Sequence, residues 1–299
     1  MELMVQKVYS LQTEEGRMKG LRFKPRPSDI IIVTPLKCGT TWVQQIAHQL
    51  KTGGDMDFKE ITEVVPYIES AHDMHLDLEA EQRANPRCYK NHTWYDHCPK
   101  GGKYIVIYRE PCAVAYSLFK FMYAWFFQPD EITLEQFILN FFLVLGKPQS
   151  EMEYASYFEH FISWWKHRND PNVLFLFYEE MKEDLETAVK AIALFMGIHD
   201  QERIQNAVRM STFEFMKANE NKFNENLLAF YRNKACGIPE GICNTKVATG
   251  SVDEALKVLP QNVQEAIQKK WQEIITKETG YESYDKLRVT FRKEKPLKI

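Results

Sequence analysis

Residues 29–33, Asp-Ile-Ile-Ile-Val, run straight into Thr-Pro-Leu-Lys-Cys-Gly-Thr-Thr-Trp at 34–42, and a helix-like stretch, Val-Gln-Gln-Ile-Ala-His-Gln-Leu, follows at 43–50. A run that is apolar at every position has no solvent face, so it fits a strand buried on both sides of a sheet. The loop behind it turns the chain into a helix, whose first backbone N–H groups lack intrahelical partners and carry partial positive charge. Lys37, Thr40 and Thr41 add side-chain donors at that point, and the junction reads as a cradle for phosphate or sulfate. The rival reading is an ordinary β–α turn capped by threonine. The G-x-x-x-x-G-K-[ST] pattern of ATPases and GTPases is not met, because the lysine precedes the glycine and only three residues separate Pro35 from Gly39.

Further short β-branched or aromatic runs at 88–91, 104–108 and 173–178 alternate with helical patterns at 111–127, 134–145, 154–166, 185–196 and 261–277. Such alternation predicts an α/β fold, a central mainly parallel β-sheet flanked by helices, and no repeat or linker divides the chain. A single domain over 1–299 is expected, with a core of about 28–285 and the polar, aperiodic stretch 217–251 as a long loop or lid. A net charge of −3 offers no global attraction to nucleic acid or an anionic membrane, so any anion site must be local. Six cysteines without a C-x-x-C pair indicate neither a zinc site nor a disulfide framework. The N-terminus lacks an unbroken apolar segment, and the longest apolar-rich stretch, 137–145, is too short to span a bilayer. A soluble, cytoplasmic protein is therefore expected.

The stretch Pro-Leu-Lys-Cys-Gly-Thr-Thr-Trp resembles the P-K-S-G-T-T-W loop of the cytosolic sulfotransferases, which use 3′-phosphoadenosine 5′-phosphosulfate (PAPS) and release 3′,5′-adenosine bisphosphate (PAP). Other resemblances follow in that family's order. Tyr-Lys-Asn-His at 89–92 is similar to its K-x-H segment, residues 104–122 to its 3′-phosphate segment, 173–185 to its adenine-side strand, and 211–217 to its T-S-F-x-x-M-K stretch. Ordered matches over so much of the chain are specific in a way that one loop is not. The resemblance implies a P-loop-like sulfotransferase fold and a PAPS-dependent enzyme that needs no metal.

Residue by residue, the resemblance makes His92 the general base and places the cations Lys37 and Lys90 around the transferring sulfuryl group. It gives the nucleotide Lys37, Cys38, Gly39, Thr40, Thr41 and Trp42 from the loop, with Arg109 and Ser117 on the 3′-phosphate. Tyr178, Thr212 and Phe213 join Trp42 around the adenine, and Lys246 and Gly250 close the site. The last segment departs from the family's R-K-G or R-x-G, since Ala248 stands where the arginine is expected. Cys38 replaces the usual serine, and its place beside Lys37 and a helix N-terminus predicts a lowered thiol pKa and a reactive sulfur.

Tyr67, Trp94, Tyr95, Trp125 and Phe126 are the expected lining of an acceptor pocket, although each aromatic also suits a core. Glu69, Asp73 and Asp96 would favour a cationic acceptor if they point inward, and surface acids are the blander reading. The function expected is sulfuryl transfer to a hydroxyl or amine of a small molecule. Two alternatives stand beside it: a catalytically weak nucleotide-binding member of the same fold, and a P-loop kinase of small molecules. The K-x-x-x-T-V-x-x-x-E segment of many dimeric members is not found, which leaves a homodimer open.

Overall fold

The structure is a computed structural model that describes all residues except 1–7, 9, 128–129, 241, 243–244 and 248–253. Four strands, β1 (Ile30–Val33), β2 (Cys88–Asn91), β3 (Lys103–Tyr108) and β4 (Val173–Phe177), form one parallel sheet in the order β2-β1-β3-β4. The helices that matter below are α1 (Glu14–Leu21), α2 (Thr40–Thr52), α3 (Pro111–Phe126), α4 (Tyr157–Trp165), α5 (Leu185–Met196), α6 (Asn226–Arg232), α7 (Gln261–Trp271) and α8 (Tyr284–Glu294).

Strand side chains alternate between two apolar layers, as the period of two requires. Ile31, Val33, Val106 and Phe175 face the layer built with α3, α4 and α7, and Ile30, Ile32, Ile105 and Ile107 face the layer built with α2 and α5. Burial on both faces is what made these strands continuous apolar runs rather than alternating ones. At the amino end of the sheet, Arg87 grips Asp29 with a two-pronged bond of 3.0 and 2.6 Å, both side chains being buried, and so ties the starts of β2 and β1 together. The chain leaves β1 toward β2 on one side and returns to β3 on the other. Such a switch point opens a crevice at the carboxyl ends of the strands.

Several boundaries differ from the sequence expectation. The 134–145 helix is instead one α turn, Leu134–Phe137, that widens into a π turn, Ile138–Phe142. Tyr178 leaves β4 and opens a short helix, Tyr178–Glu183. The expected loop at 217–251 contains α6 and two 3-10 turns, Glu220–Lys222 and Lys234–Cys236. The core also extends past 285, because Leu287 and Phe291 of α8 are buried, with Phe291 against Trp165, Phe175 and Phe177. Among the described residues no helix is long and apolar enough to cross a membrane.

Candidate active site

Each strand delivers one chemically useful side chain just past its carboxyl end: Lys37 after β1, His92 after β2, Arg109 after β3 and Tyr178 after β4. All four line one cleft of about 410 Å³. The loop after β1 is shaped for close approach. Lys37 sits at φ 69° and Gly39 at φ 104°, both in the left-handed region. A Cβ on Gly39 would stand 2.8 Å from the Tyr178 ring, so only glycine admits that contact. Helix α2 then begins without a side-chain cap and without an acidic residue in its first turn, which leaves its N-terminal N–H groups for an anion.

Thr40, Thr41, Trp42, Ser117, Phe213, Lys90 and Lys246 also line the cleft. Trp42 donates its indole N–H to the Ser211 carbonyl at 2.7 Å and meets the Tyr178 ring edge-on at 5.4 Å. The Arg109 guanidinium lies 4.6 Å from the centre of that ring. Ser117 rides on α3, whose start Pro111 pre-sets and Glu110 caps by accepting from the N–H groups of Cys112 and Ala113.

His92 is buried, and its Nδ1 lies 2.8 Å from the Thr34 carbonyl oxygen. A carbonyl only accepts, so Nδ1 carries the proton and Nε2 keeps a lone pair. Burial, with the Lys90 charge next, holds the imidazole pKa well below its usual value. His92 is therefore neutral at neutral pH and equipped to accept a proton. The Lys90 ammonium is likewise buried, 4.1 Å from the Tyr67 ring centre and 2.6 Å from the Glu225 carboxylate. Lys37 sits 4.2 Å from the Phe121 ring centre, and burial first, then the Lys246 charge, pushes its pKa down to about 7.

A second, smaller cavity of about 70 Å³ meets this cleft at His92 and Leu36, which line both. Its walls are mostly apolar, from Val114, Leu118 and Met122 of α3 and from Phe141, Phe142 and Leu145. The expected acceptor aromatics are elsewhere. Trp125 and Phe126 are buried in the core, where Trp125 donates to Asn233 at 2.9 Å, because they lie on the far turns of α3. Tyr95 stacks on His167 with ring centres 3.5 Å apart, and Trp94 packs edge-on against His97. Tyr67 approaches more closely: its hydroxyl pairs at 2.7 Å with that of Tyr154, which does line the small cavity.

Other expectations also change. Thr212 does not line the cleft, since its hydroxyl accepts from the Phe215 N–H and caps the next helix. Cys38 is fully buried, and loss of hydration pushes its thiol far up, outweighing the neighbouring Arg109 charge that would favour a thiolate. Glu69 is buried and accepts the His92 backbone N–H at 2.7 Å, while Asp73 holds the Thr13 N–H and hydroxyl at 2.8 and 2.6 Å. Neither lines the cleft or the small cavity. Ala248 and Gly250 lie outside the described residues. The sequence reading missed Lys120, Glu225 and Glu254, all of which line the cleft. Lys120 was legible as the cation one helical turn beyond Ser117, but Glu225 stands in a stretch with no periodic signal.

A parallel sheet with a cation-lined cleft across the carboxyl ends of its strands, and an uncapped helix pointing into it, defines an α/β anion-binding protein of the kind that handles phosphate or sulfate esters. The chain belongs to the sulfotransferase family, whose sulfotransferase domain matches residues 27–273. Over 212 residues it is 32% identical to sulfotransferase 1E1 of Bos taurus, covering 66% of this chain and 68% of that protein. Its fold is that of mouse sulfotransferase SULT7A1 complexed with PAP, with TM-score 0.65 and 24% identity over 89% of this chain and 90% of the other. Retinol dehydratase in a complex with retinol and PAP shares it as well, with TM-score 0.67 and 19% identity over 88% and 86% of the two chains.

Proposed function

We propose that the protein transfers the sulfuryl group of PAPS to a hydroxyl of an apolar small molecule, with His92 as the general base. The observation that carries this reading is that His92 stands where the cation-lined cleft meets the apolar cavity. A base between an anion site and a greasy pocket can reach an acceptor hydroxyl while facing the group to be transferred. The residues present suit the donor. The free N-terminus of α2 with Lys37, Thr40 and Thr41 takes its 5′-phosphosulfate, and Arg109, Ser117 and Lys120 take its 3′-phosphate. Trp42, Tyr178 and Phe213 supply aromatic surface for the adenine. The mouse sulfotransferase of the same fold is complexed with PAP, which supports PAPS as the donor.

In the transfer, the acceptor hydroxyl gives its proton to His92 Nε2 as its oxygen attacks sulfur, and the bond from sulfur to the phosphate oxygen breaks. Charge grows on the departing phosphate oxygen, and the Lys37 and Lys90 ammoniums oppose it. The chemistry resembles phosphoryl transfer in depending on position and electrostatics. A hydroxyl acceptor is favoured over an amine because, among the described residues, no carboxylate lines the small cavity to hold an ammonium.

The test is a donor-by-acceptor panel: labelled PAPS or ATP against apolar alcohols, phenols and amines. Sulfated alcohols or phenols are expected. Transfer from ATP alone would replace the reading with a kinase, PAP binding without any transfer would replace it with a nucleotide-binding protein, and sulfation of amines alone would move the acceptor class.

A further inference from the structure

The carboxylate of Glu225 stands inside the cleft and is buried, at the start of α6. One of its oxygens, Oε1, accepts from the ammoniums of both Lys90 and Lys246. Two ammoniums sharing one acceptor lie within about two hydrogen-bond lengths of each other. Lys246 is therefore at the Lys90 end of the cleft, beside the reacting groups. The 3′-phosphate corner proposed above is on α3, where Ser117 and Lys120 line the cleft. Glu225 thus draws the Lys246 side chain toward Lys90.

We infer that Lys246 is a third cation on the transferring sulfuryl group, and that Glu225 is the positioning residue that aims it and Lys90. The inference rests on the sulfotransferase reading above. Each ammonium has three N–H donors and spends one on Glu225, so both keep donors for sulfuryl oxygens. The carboxylate cancels one charge of the pair and leaves one. Burial disfavours ionisation of Glu225, yet Lys246 and Lys90 outweigh it and hold the carboxyl below its usual range, so the bridge persists through neutral pH. As the sulfur–oxygen bond to phosphate breaks, the electron pair stays on the departing oxygen, the proton stays on His92, and the additional N–H donor stabilises the charge that grows between them. The Lys246 charge also reaches His92 and Lys37, as a group at the reacting end should.

The experiment compares wild type with Lys246→Met, Lys246→Arg and Glu225→Gln in PAPS, PAP and AMP binding by calorimetry and in turnover. For Lys246→Met we expect roughly a tenfold to hundredfold loss of kcat. PAPS should weaken relative to PAP, and the PAP-to-AMP preference should stay within about twofold, because the 3′-phosphate is held elsewhere. Lys246→Arg should recover part of the rate. Glu225→Gln should lower kcat by about tenfold with the acceptor KM unchanged, since both ammoniums lose their anchor.

A pH profile adds a readout that a structural role would not move. The groups acting on Lys37 are Lys246, Glu225, Arg109 and Lys90, with the Phe121 ring against its ammonium. Removing the Lys246 charge lets Lys37 keep its proton longer, so the alkaline limb of kcat/KM should shift upward in Lys246→Met. Collapse of the PAP-to-AMP preference would place Lys246 at the 3′-phosphate and overturn the inference. An unchanged PAPS-to-PAP ratio with unchanged pH dependence would overturn it too. Wild-type protein that transfers nothing strikes the sulfotransferase reading, whereas the binding ratios judge Lys246 without any acceptor.

Discussion

Gly39→Ala puts a methyl group at the tightest point of the phosphate loop, and two costs can be worked from the structure. Position 39 has φ 104°, where an L side chain meets its own backbone at a cost of about 1–2 kcal/mol. The new Cβ would also stand 2.8 Å from Tyr178 Cδ2, closer than real contacts allow. The ring cannot retreat freely, because Arg109 lies 4.6 Å from its centre and Trp42 meets it at 5.4 Å. Forcing it off its rotamer costs about 0.5–1.5 kcal/mol more. For a chain of 299 residues each kcal/mol moves Tm by about 1.6 °C, so a drop of about 2–6 °C is expected. Thermal unfolding followed by circular dichroism measures this, and calorimetry with PAP should show weaker binding in the same variant. Adding Tyr178→Ala should recover the ring's share of the stability loss and leave the backbone's share. An unchanged Tm together with unchanged PAP affinity would refute the reasoning, since neither the left-handed backbone nor the contact would then exist.

The pH dependence of kcat/KM should be lopsided: Lys37, with its pKa pushed down to about 7, loses its charge as pH rises, while His92, held well below 6.5, stays a base on the acid side. A rate–pH titration that rises through pH 7 to 9 would contradict this. Cys38 should resist iodoacetamide at pH 8 in the folded protein, with or without PAP, because its thiol is buried and its pKa is raised; peptide mapping that finds it alkylated and protected by PAP would restore the reactive-thiol expectation. Ala248→Arg, placed at the 3′-phosphate by the sequence resemblance, should tighten PAP through a charge-assisted pair worth about 1.5–3 kcal/mol, roughly tenfold or more in Kd, beyond what Arg109, Ser117 and Lys120 supply; calorimetry showing no gain in 3′-phosphate preference would contradict that placement.

The strands were legible because burial on both faces demands apolar residues at every position, as at 30–33 and 104–108. The loop after β1 was legible for a related reason, since local chain chemistry fixes where a helix N-terminus and its donors stand. Side-chain destinations were not. Trp125 and Phe126 follow Ser117 on one helix, yet a helix turns its residues through all directions, and these two face the core rather than the cleft. The small cavity takes Phe141 and Phe142 from within a π turn, for which the 3.6 period gives no warning. Cys38 shows the limit of neighbour arguments, because the adjacent cation mattered less than the loss of water around the sulfur. Helix α8 carries a signal in Ser283 followed by Tyr284, Leu287 and Phe291 at helical spacing, beyond the expected core end at about 285. The Glu225 bridge joins residues 90, 225 and 246, a contact that exists only once the sheet and α6 are in place.

The central claim is that His92 takes a proton from an acceptor hydroxyl while the surrounding cations hold the donor. Single-turnover transfer of radiolabelled sulfur from PAPS to an apolar phenol, measured for wild type and His92→Gln with PAP affinity determined in parallel, tests it directly. The account predicts efficient transfer by wild type, a loss of about 10²- to 10⁴-fold in the variant, and PAP affinities within a few fold of each other. Comparable transfer by the two proteins, or a variant that loses PAP binding and rate in equal measure, would contradict it.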